Sequence, residues 1–433
     1  MVGYDNRKGL VLVGVLWLKV ILVAMVAVLS RSSRLDLKVR AMGIEELRCR
    51  WACRAGIEKA VAILNEDTRE SDSYADLWSD NYEDFNDIPL EGCRFTVQVI
   101  DEASKLNINT ATKKQLMQLP EMVEEIADAI IDWRDKNDTV SGLGAEGGYY
   151  ETLPYGYKIR NGRFRTIREL LLVKGVTEEL FYGEDTNFNG QLDENEDDGQ
   201  LTPPNDDADG ELDYGWIHYL TCYSYEENVD AEGNKRVNIN QGNERSLATA
   251  LGISRSQAKW IVENRKGGYK SIADLISNNT PKEPKEGPAK NPNAAKPIDL
   301  QTFAAIADKI TVSNSQKLEG RVNINTASSV VLAALLGGGD AGAQLAEQIV
   351  GYREEQLLGL ESIADILQFE GMSINTFKKI ANYITVRSNV YTVRCFATAE
   401  RAAGDGLEML TEAVIDRTDT PYELLYWYQG TNR

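Results

Sequence analysis

LVLVGVLWLKVILVAMVAVL, Leu10 to Leu29, is the stretch from which the rest of the chain is read. A helix rises ~1.5 Å per residue, so a run of this length crosses a hydrocarbon core. One charge, Lys19, interrupts it. A lysine at mid-span costs ~2.5–3.5 kcal/mol on the insertion scale, so it either snorkels or meets a partner helix. A polar leader, MVGYDNRKG, precedes the run and ends in Arg7, Lys8 and Gly9. A secretory signal peptide carries its cleavage site after the apolar run, at small residues. Here the run flows into Ser30-Arg31-Ser32-Ser33-Arg34-Leu35 instead. The run is therefore expected to stay with the mature protein, and the processing point to lie before it, between Gly9 and Leu10.

The helical pattern does not stop at the membrane. Leu35, Leu37, Val39, Met42, Ile44, Leu47, Trp51, Ala55, Ile57, Ala60, Val61 and Leu64 continue it without a proline. One helix from Leu10 to about Leu64 is expected, a membrane span over 10–30 and an amphipathic continuation over 31–65 that packs one face on a globular body. Cys49 and Cys53 share that face and read as small buried packing residues in preference to a reactive pair. Charge counting runs against an outward body, since Arg31, Arg34, Lys38 and Arg40 follow the span while Arg7 and Lys8 precede it. The leader is too short to be a translocated domain. A basic leader, a glycine and a retained apolar helix together resemble the start of a type IV pilin or pseudopilin.

The chain has 433 residues, enough for two or three domains, with 47 basic and 67 acidic side chains and a net charge of −20. Such a balance repels phosphate backbones and argues against nucleic-acid binding. Five cysteines are too few for a disulfide scaffold, and their pairing is left open. A single histidine, His218, argues against a His-based hydrolase. No G-x-S-x-G, Cys/His pair or P-loop is present, so an enzyme is not expected.

An internal repeat is the second organising feature. Lys105-Leu106-Asn107-Ile108-Asn109-Thr110-Ala111 recurs as Arg236-Val237-Asn238-Ile239-Asn240 and as Arg321-Val322-Asn323-Ile324-Asn325-Thr326-Ala327. In each copy a helix ending in Arg134, Arg265 or Arg353 leads to a helix start, Thr166-Ile167-Arg168-Glu169-Leu170, Ser271-Ile272-Ala273-Asp274-Leu275 or Ser362-Ile363-Ala364-Asp365-Ile366. The Ser or Thr with an acid three residues on reads as a capping box. A β-like phrase closes each copy, at Leu220, Ile310 and Ile384. The expectation is three small helical units of helix-hairpin-helix or SAM-like kind, over 101–225, 236–313 and 321–388. The second carries a solvated Pro/Lys-rich loop, 278–297.

Residues 66–91 read as an acidic loop. Cys93 to Ile100 alternates as a strand, and three more strands are expected between 389 and 428, with Asp405-Gly406 as a hairpin signal. The fold class is α+β, a long N-terminal helix packed on a small antiparallel sheet with a large helical domain inserted into that sheet.

Inside the first unit, Asp185-Thr186-Asn187-Phe188-Asn189-Gly190-Gln191-Leu192-Asp193-Glu194-Asn195-Glu196 fills the EF-hand loop pattern. Asp185, Asn187, Asn189, Gln191, Asp193 and Glu196 occupy the ligand positions and Gly190 the sharp turn, which points to structural Ca2+. A helix over Thr177–Tyr182 precedes it. No helix follows, given Gly199 and Pro203-Pro204. A weaker second loop uses Asn205, Asp207, Asp209, Glu211 and Asp213, but its twelfth position is Trp216. The insertion spans 185–213.

These pieces resemble one family over nearly the whole chain: type II secretion system protein K, or general secretion pathway protein K, a minor pseudopilin. The resemblance lies in LVLVGVLWL, SRSSRLDLKVR, Asp101-Glu102-Ala103-Ser104-Lys105-Leu106-Asn107-Ile108-Asn109, Ile131-Asp132-Trp133-Arg134-Asp135 and the N-I-N-T-A phrase. Pseudopilins carry a glutamate at the fifth mature position. Counted from Leu10 that position is Gly14, and protein K members lack the glutamate in the same way. The resemblance implies cleavage after Gly9 by a prepilin peptidase and methylation of Leu10. It implies an inner-membrane, single-pass protein with a periplasmic body. The implied partners are two other minor pseudopilins (proteins I and J of the system), the major pseudopilin and the inner-membrane assembly platform, in a tip complex that primes pseudopilus assembly. Leu10 in place of Phe or Met, Lys19, and a third helical unit are departures from the family pattern.

A membrane-anchored DNA receptor is the competing reading, because helix-hairpin-helix units of competence proteins resemble V-N-I-N-x-A. Those bind phosphate through a Gly-apolar-Gly hairpin. The corresponding stretches here are Leu119-Pro120-Glu121-Met122, Leu251-Gly252-Ile253-Ser254 and Leu336-Gly337-Gly338-Gly339.

Overall fold

A computed structural model describes residues 7–79, 81–277, 295–356, 359–400, 406–419 and 421–432. Leader residues 1–6, most of the Pro/Lys-rich loop (278–294) and Asp405 lie outside the described residues.

One helix, α1 (Arg7–Glu66), opens the chain. Two strands follow, β1 (Ile88–Leu90) and β2 (Cys93–Asp101). The chain then makes short strands among helices: β3 (Leu106–Asn107), β4 (Leu220–Thr221), β5 (Tyr225–Glu227), β6 (Val237–Asn238), β7 (Ile310–Thr311), β8 (Lys317–Glu319), β9 (Val322–Asn323) and β10 (Ile384–Thr385). It closes with β11 (Val390–Ala399), β12 (Glu408–Asp416) and β13 (Glu423–Asn432).

The main sheet is antiparallel, in the order β1-β2-β11-β12-β13. The helical body is thus inserted between two neighbouring strands, β2 and β11, paired from Asp101↔Tyr391 to Cys93↔Ala399. β1 is a correction to the loop expected over 66–91. Glu91 and Gly92 adopt positive φ (40° and 83°) and turn the chain back so that Ile88 pairs with Phe95. A short helix, Tyr82–Phe85, lies in the same stretch. Neither is long enough to show a period.

The second half of α1 packs on this sheet through Cys49, Ala52, Cys53, Ile57, Ala60, Val61 and Leu64. Phe95, Val97, Val99, Val393, Cys395, Ala413 and Ile415 meet them. Each fully buried aliphatic side chain contributes about 1.5–3 kcal/mol. Gly56 sits at the closest approach, where an added Cβ would come within 2.6 Å of Cys395 Sγ and 2.9 Å of Val97 Cγ2.

The three repeats fold alike, and their hydrogen bonds account for the recurring residues. Each forms a parallel two-stranded ladder, Leu106↔Leu220, Val237↔Ile310 and Val322↔Ile384. The first asparagine of each N-I-N accepts from the backbone N–H two residues on, at 3.0, 2.9 and 3.0 Å. The second clamps a distant loop from both sides. Asn109 holds Phe164, Asn240 holds Tyr269 and Asn325 holds Leu360, each donating to the carbonyl and accepting from the N–H of that residue. The helix-ending arginine of each copy donates back to backbone carbonyls just past the N-I-N: Arg134 to Ile108 and Ala111, Arg265 to Gln241 and Gly242, Arg353 to Ile324 and Ala327. Buried amides are thus satisfied without long strands.

The expected helix starts at Thr166, Ser271 and Ser362 are tighter than the sequence indicates. They are 3-10 turns in the first and third copies (Ile167–Leu172, Asp365–Gln368) and a four-residue helix in the second (Asp274–Ser277). The acid still reaches back as expected: Asp274 and Asp365 accept from the N–H of Ser271 and Ser362. All three copies share one apolar core. Their leading basic residues are buried in ion pairs, Lys105 with Glu102 (3.0 Å), and Arg236 and Arg321 both with Glu226 (2.5 and 2.7 Å).

Candidate functional site

Four regions carry chemistry that the packing above does not use. The first is the free half of α1. From Val11 to Leu29 its apolar side chains are exposed, Trp17 at 65% and Val23 at 70%, with nothing among the described residues of the body against them. A mean hydropathy of 2.7 over its most apolar window is enough to cross a membrane. Gly9 and Leu10 lie in its first turns. Past the span, Leu37, Ile44 and Trp51 stay exposed at seven-residue intervals. They form a seam suited to a neighbouring helix.

The second region is the acidic loop. Thr177 caps the helix Glu178–Tyr182, and Gly183 (φ 70°) releases the chain into it. Asp185, 1% exposed, accepts from the N–H groups of Asn189 (3.0 Å) and Gly190 (3.1 Å). Asn187 and Asn189 both turn to Asp193 Oδ2, at 2.7 and 2.8 Å. Gly190 takes φ 69°, as the sharp turn requires. A single 3-10 turn, Glu194–Glu196, follows in place of a helix. It places Glu196 at 1% exposure, with Oε2 accepting from Asp193 N–H (3.2 Å) and Oε1 buried without a partner. Burial raises the Glu196 pKa, and the charges of Asp185 and Asp193 add to that. Burial likewise raises Asp185, against the Gly190 and Asn189 N–H groups. Gln191 is exposed, and its backbone carbonyl is the ligand its position would supply. Oxygen-rich, negatively charged and with an orphaned carboxylate oxygen, this donor set fits a hard divalent cation.

In the second loop Asn205, Asp207, Asp209, Glu211 and Asp213 are all exposed. The residue that shapes it is Asp206, which accepts from the N–H groups of Asp198, Gly199 and Ala208. Asp213 is tied to the first loop through Glu184 Oε2 (2.9 Å).

Sequence reasoning did not single out the fourth region. Asp132, Asp135 and Glu146 bring carboxylate oxygens within 4.8 Å of one another. Asp132 and Asp135 lie at the end of the helix Glu124–Arg134 and just past it. The loop that follows brings Glu146 onto them, and it must be glycine-rich. A Cβ on Gly144 would sit 2.2 Å from Asp132 Oδ2, and one on Gly142 (φ 51°) 2.2 Å from Asp128 Oδ2. Asp132 accepts from Ser141 N–H (3.0 Å). Glu146, 6% exposed, has no partner for either carboxylate oxygen. Burial, then the charges of Asp132, Asp135 and Asp138, push its pKa up to about 7. The signal was two aspartates three residues apart, then Gly-x-Gly-x-Glu. A further acidic group, Asp67, Asp72 and Asp76, is already answered by Arg417, which donates to Asp67 (2.9 Å) and Asp72.

The arginines that follow the N-I-N phrases are committed to carbonyls. The hairpin stretch at Leu119–Met122 has Pro120 O accepting from Trp216 Nε1 (2.9 Å).

Models of the type II secretion system protein K family match residues 94–182 and 322–387. The first match covers β2 and the Asp132–Asp135–Glu146 centre, and the second covers the third repeat. Neither reaches 236–313. Type II secretion system protein K of Pectobacterium carotovorum subsp. carotovorum is 23% identical over 200 residues, 41% of this chain and 61% of its own length. Endonuclease/exonuclease/phosphatase family domain-containing protein 1 of Xenopus laevis is 30% identical over 157 residues, 35% of this chain and 28% of its own length. The chain thus spans less than two thirds of either relative. Among solved structures, the GspK-GspI-GspJ complex of the enterotoxigenic Escherichia coli type 2 secretion system includes a similar chain. That likeness has a TM-score of 0.49 at 14% identity, over 91% of this chain and 99% of the other.

Proposed function

We propose, from the premise that the chain belongs to the type II secretion system protein K family, that it is a minor pseudopilin at the pseudopilus tip. There it initiates pseudopilus assembly for protein export across the outer membrane, a structural role and not a catalytic one. The observation that carries the reading is α1: one helix, half exposed and apolar, half packed on an antiparallel sheet. That is the build of a subunit extracted from a membrane into a helical bundle. Gly14, at the fifth position after the cleavage point, offers no carboxylate to the amino terminus of a subunit ahead. A subunit with none ahead of it needs none.

Under this reading residues 1–9 are the leader, 10–30 the span in the inner membrane, and the remainder the periplasmic body. The sheet is the pseudopilin sheet and the repeats a SAM-like or helix-hairpin-helix insert. Proteins I and J of the system, the major pseudopilin, the prepilin peptidase and the assembly platform are the partners. The seam Leu37–Ile44–Trp51 is where a neighbouring pseudopilin helix packs.

The test is the mass and N-terminal sequence of the membrane-extracted protein. A methylated chain beginning at Leu10 is expected, and substitution of Gly9 should leave a longer, unprocessed membrane protein. An intact Met1 would make α1 an ordinary signal anchor and move the DNA-receptor reading ahead.

The acidic sites belong to the same reading as structural cation sites. Asp185, Asn187, Asn189, Asp193 and Glu196 with the Gln191 carbonyl would hold calcium in the first loop. Asn205, Asp207, Asp209, Glu211 and Asp213 would add a second, and Asp132, Asp135 and Glu146 another centre. The cation supplies positive charge to carboxylates that otherwise repel, and it crosslinks loops. At 100-fold excess over Kd, calcium is expected to add about 2.7 kcal/mol per site. Replacing Asp185 and Glu196 with alanine should lower the melting temperature by clearly more in calcium than in chelator, where only their bonds to backbone N–H groups are lost. Equal loss in chelator throughout would remove the claim for the loop. The Glu146 centre predicts a pH effect. Its folded pKa, about 7, lies above the ordinary glutamate value of about 4.5, so ionisation costs more in the folded state. In chelator, stability should fall as pH rises from about 4.5 to 7, and calcium or Glu146→Gln should flatten that fall.

A further inference from the structure

Two buried thiols meet where α1 lands on the sheet. Cys49 projects from α1 and Cys93 opens β2. They are 0% and 1% exposed, and their sulfurs touch at 3.8 Å. Cys93 follows the turn at Glu91 and Gly92 and is paired with Leu90 on one side and Ala399 on the other. The contact that Cys49 would give up is weak, a 3.5 Å approach to the Leu407 carbonyl. The next thiols along the interface are placed differently. Cys53 donates to the Cys395 carbonyl at 3.3 Å, and the Cys395 sulfur is wedged against Gly56. Cys222 lies in the other core. Cys53 and Cys395 also interact through their side chains, but inside the packed face of helix and sheet, whereas Cys49 and Cys93 meet at its edge beside the turn at Glu91 and Gly92.

We propose that Cys49 and Cys93 are joined by a disulfide in the exported protein, fastening the helix that carries the membrane span to the first long strand of the sheet. The inference rests on the periplasmic placement of the body, where an oxidising compartment permits the bond. Two thiols each lose a hydrogen and one S–S bond forms. The oxidant is a disulfide-bonded oxidoreductase or small-molecule disulfide, whose own S–S bond breaks to two thiols as it takes up the two electrons and two protons. Burial, then the neighbouring Cys93, pushes the Cys49 pKa up to about 12 in the folded protein. Thiolate is therefore scarce once α1 has docked, and exchange belongs to the chain before burial. The same burial then shields the finished bond from reductant. The bond closes a loop between residues 44 apart in sequence, long enough to restrict the unfolded chain. It also means that force along α1 during membrane extraction cannot peel the helix from the sheet.

The experiment is thiol mapping of the full-length protein extracted from membranes. It is denatured in guanidine with alkylating reagent and no reductant, then digested for mass spectrometry. Expected is a linked Cys49–Cys93 peptide pair, with Cys53, Cys222 and Cys395 alkylated. Cys49→Ser should lower the melting temperature of the oxidised protein by about 5 °C and leave that of the reduced protein unchanged. Protease accessibility in spheroplasts, measured on the same cells, separates the two ways of failing. Five alkylated cysteines on a protease-accessible body overturn the disulfide alone. Five on a shielded body overturn the periplasmic placement, and refolding from guanidine in a glutathione redox pair then decides the geometry. Failure of Cys49 and Cys93 to link there, or linkage of another pair, also overturns it.

Discussion

Glu226→Gln is expected to cost about 3–5 kcal/mol of stability, the largest single loss in the helical body, because it removes the charge on which two repeats converge. Glu226 lies on β5 at 3% exposure. It accepts from Arg236, which opens the second repeat, at 2.5 Å, and from Arg321, which opens the third, at 2.7 Å. Arg387, just past β10, approaches to 3.9 Å. Asp308 is the other anion of the group, paired with Arg236 (2.9 Å) and Arg387. Glutamine keeps the shape and one acceptor oxygen but leaves three guanidiniums facing one carboxylate. The loss comes mainly from stranded buried charge. Removing both partners, as in Glu226→Leu with Arg321→Met, is therefore expected to be milder than the single change. Burial raises the Glu226 pKa, but Arg236, Arg321 and Arg387 outweigh it and hold the carboxyl at about 2. A depressed acid contributes stability above its unfolded pKa and loses it as pH falls to the folded one. The wild type should therefore lose stability steeply between about pH 4.5 and 2. Glu226→Gln should start lower and fall less over that window. Urea unfolding followed by circular dichroism at several pH values measures both.

What could be read from the chain depended on whether the information was local. α1 was legible because apolar spacing persists from Leu10 to Leu64. The repeats were legible because Asn107-Ile108-Asn109 recurs with the same neighbours. The sharp turn at Gly190 was legible because the pattern that sets it is contiguous between Asp185 and Glu196. What stayed hidden is set by distant partners. A two-residue strand such as Leu106–Asn107 has no period, and its partner Leu220 is set by folding of everything between. The recurring arginines at 134, 265 and 353 read as helix ends, yet their work is to satisfy carbonyls behind them. Glu146 looked like one more loop acid in a chain with 67 acidic residues. Only the fold buries it beside Asp132 and Asp135 without a partner. The same distinction bears on the DNA reading. V-N-I-N-x-A resembles a phosphate-binding unit as a string. In the fold its asparagines and arginines are consumed in holding the unit together.

Gly56→Val is expected to be the most damaging substitution on α1, and it separates intrinsic helix preference from packing. In an isolated helix, replacing glycine by alanine relieves about 1 kcal/mol of conformational cost, and by β-branched valine less. Gly43 and Gly56 are both interior to α1, so both would gain it. A Cβ at Gly43 meets nothing within 4 Å, so Gly43→Ala should leave the body unchanged or slightly more stable. At Gly56 the first added carbon would lie 2.6 Å from Cys395 Sγ, 2.9 Å from Val97 Cγ2 and 3.1 Å from Phe95 Cδ2. Those atoms belong to β2 and β11, the paired strands that flank the insertion, and they have no room to retreat. The helix must lift instead, and Ile57, Ala60 and Val61 lose contact together. Overpacking typically costs 1–3 kcal/mol, and the lost burial adds to it. A net loss of about 3–4 kcal/mol is expected for valine, and about half that for alanine. The measurement is the melting temperature of the detergent-extracted chain, with limited proteolysis near Glu66 as the readout for undocking. A Gly56→Val protein that melts like wild type would mean that α1 does not rest on the sheet at this distance. If it melts early while Gly43→Ala does not, the close approach at Gly56 is what lets the surrounding face, from Cys49 to Leu64, seat on the sheet. The membrane half of the helix would then transmit its position to the body through that whole face.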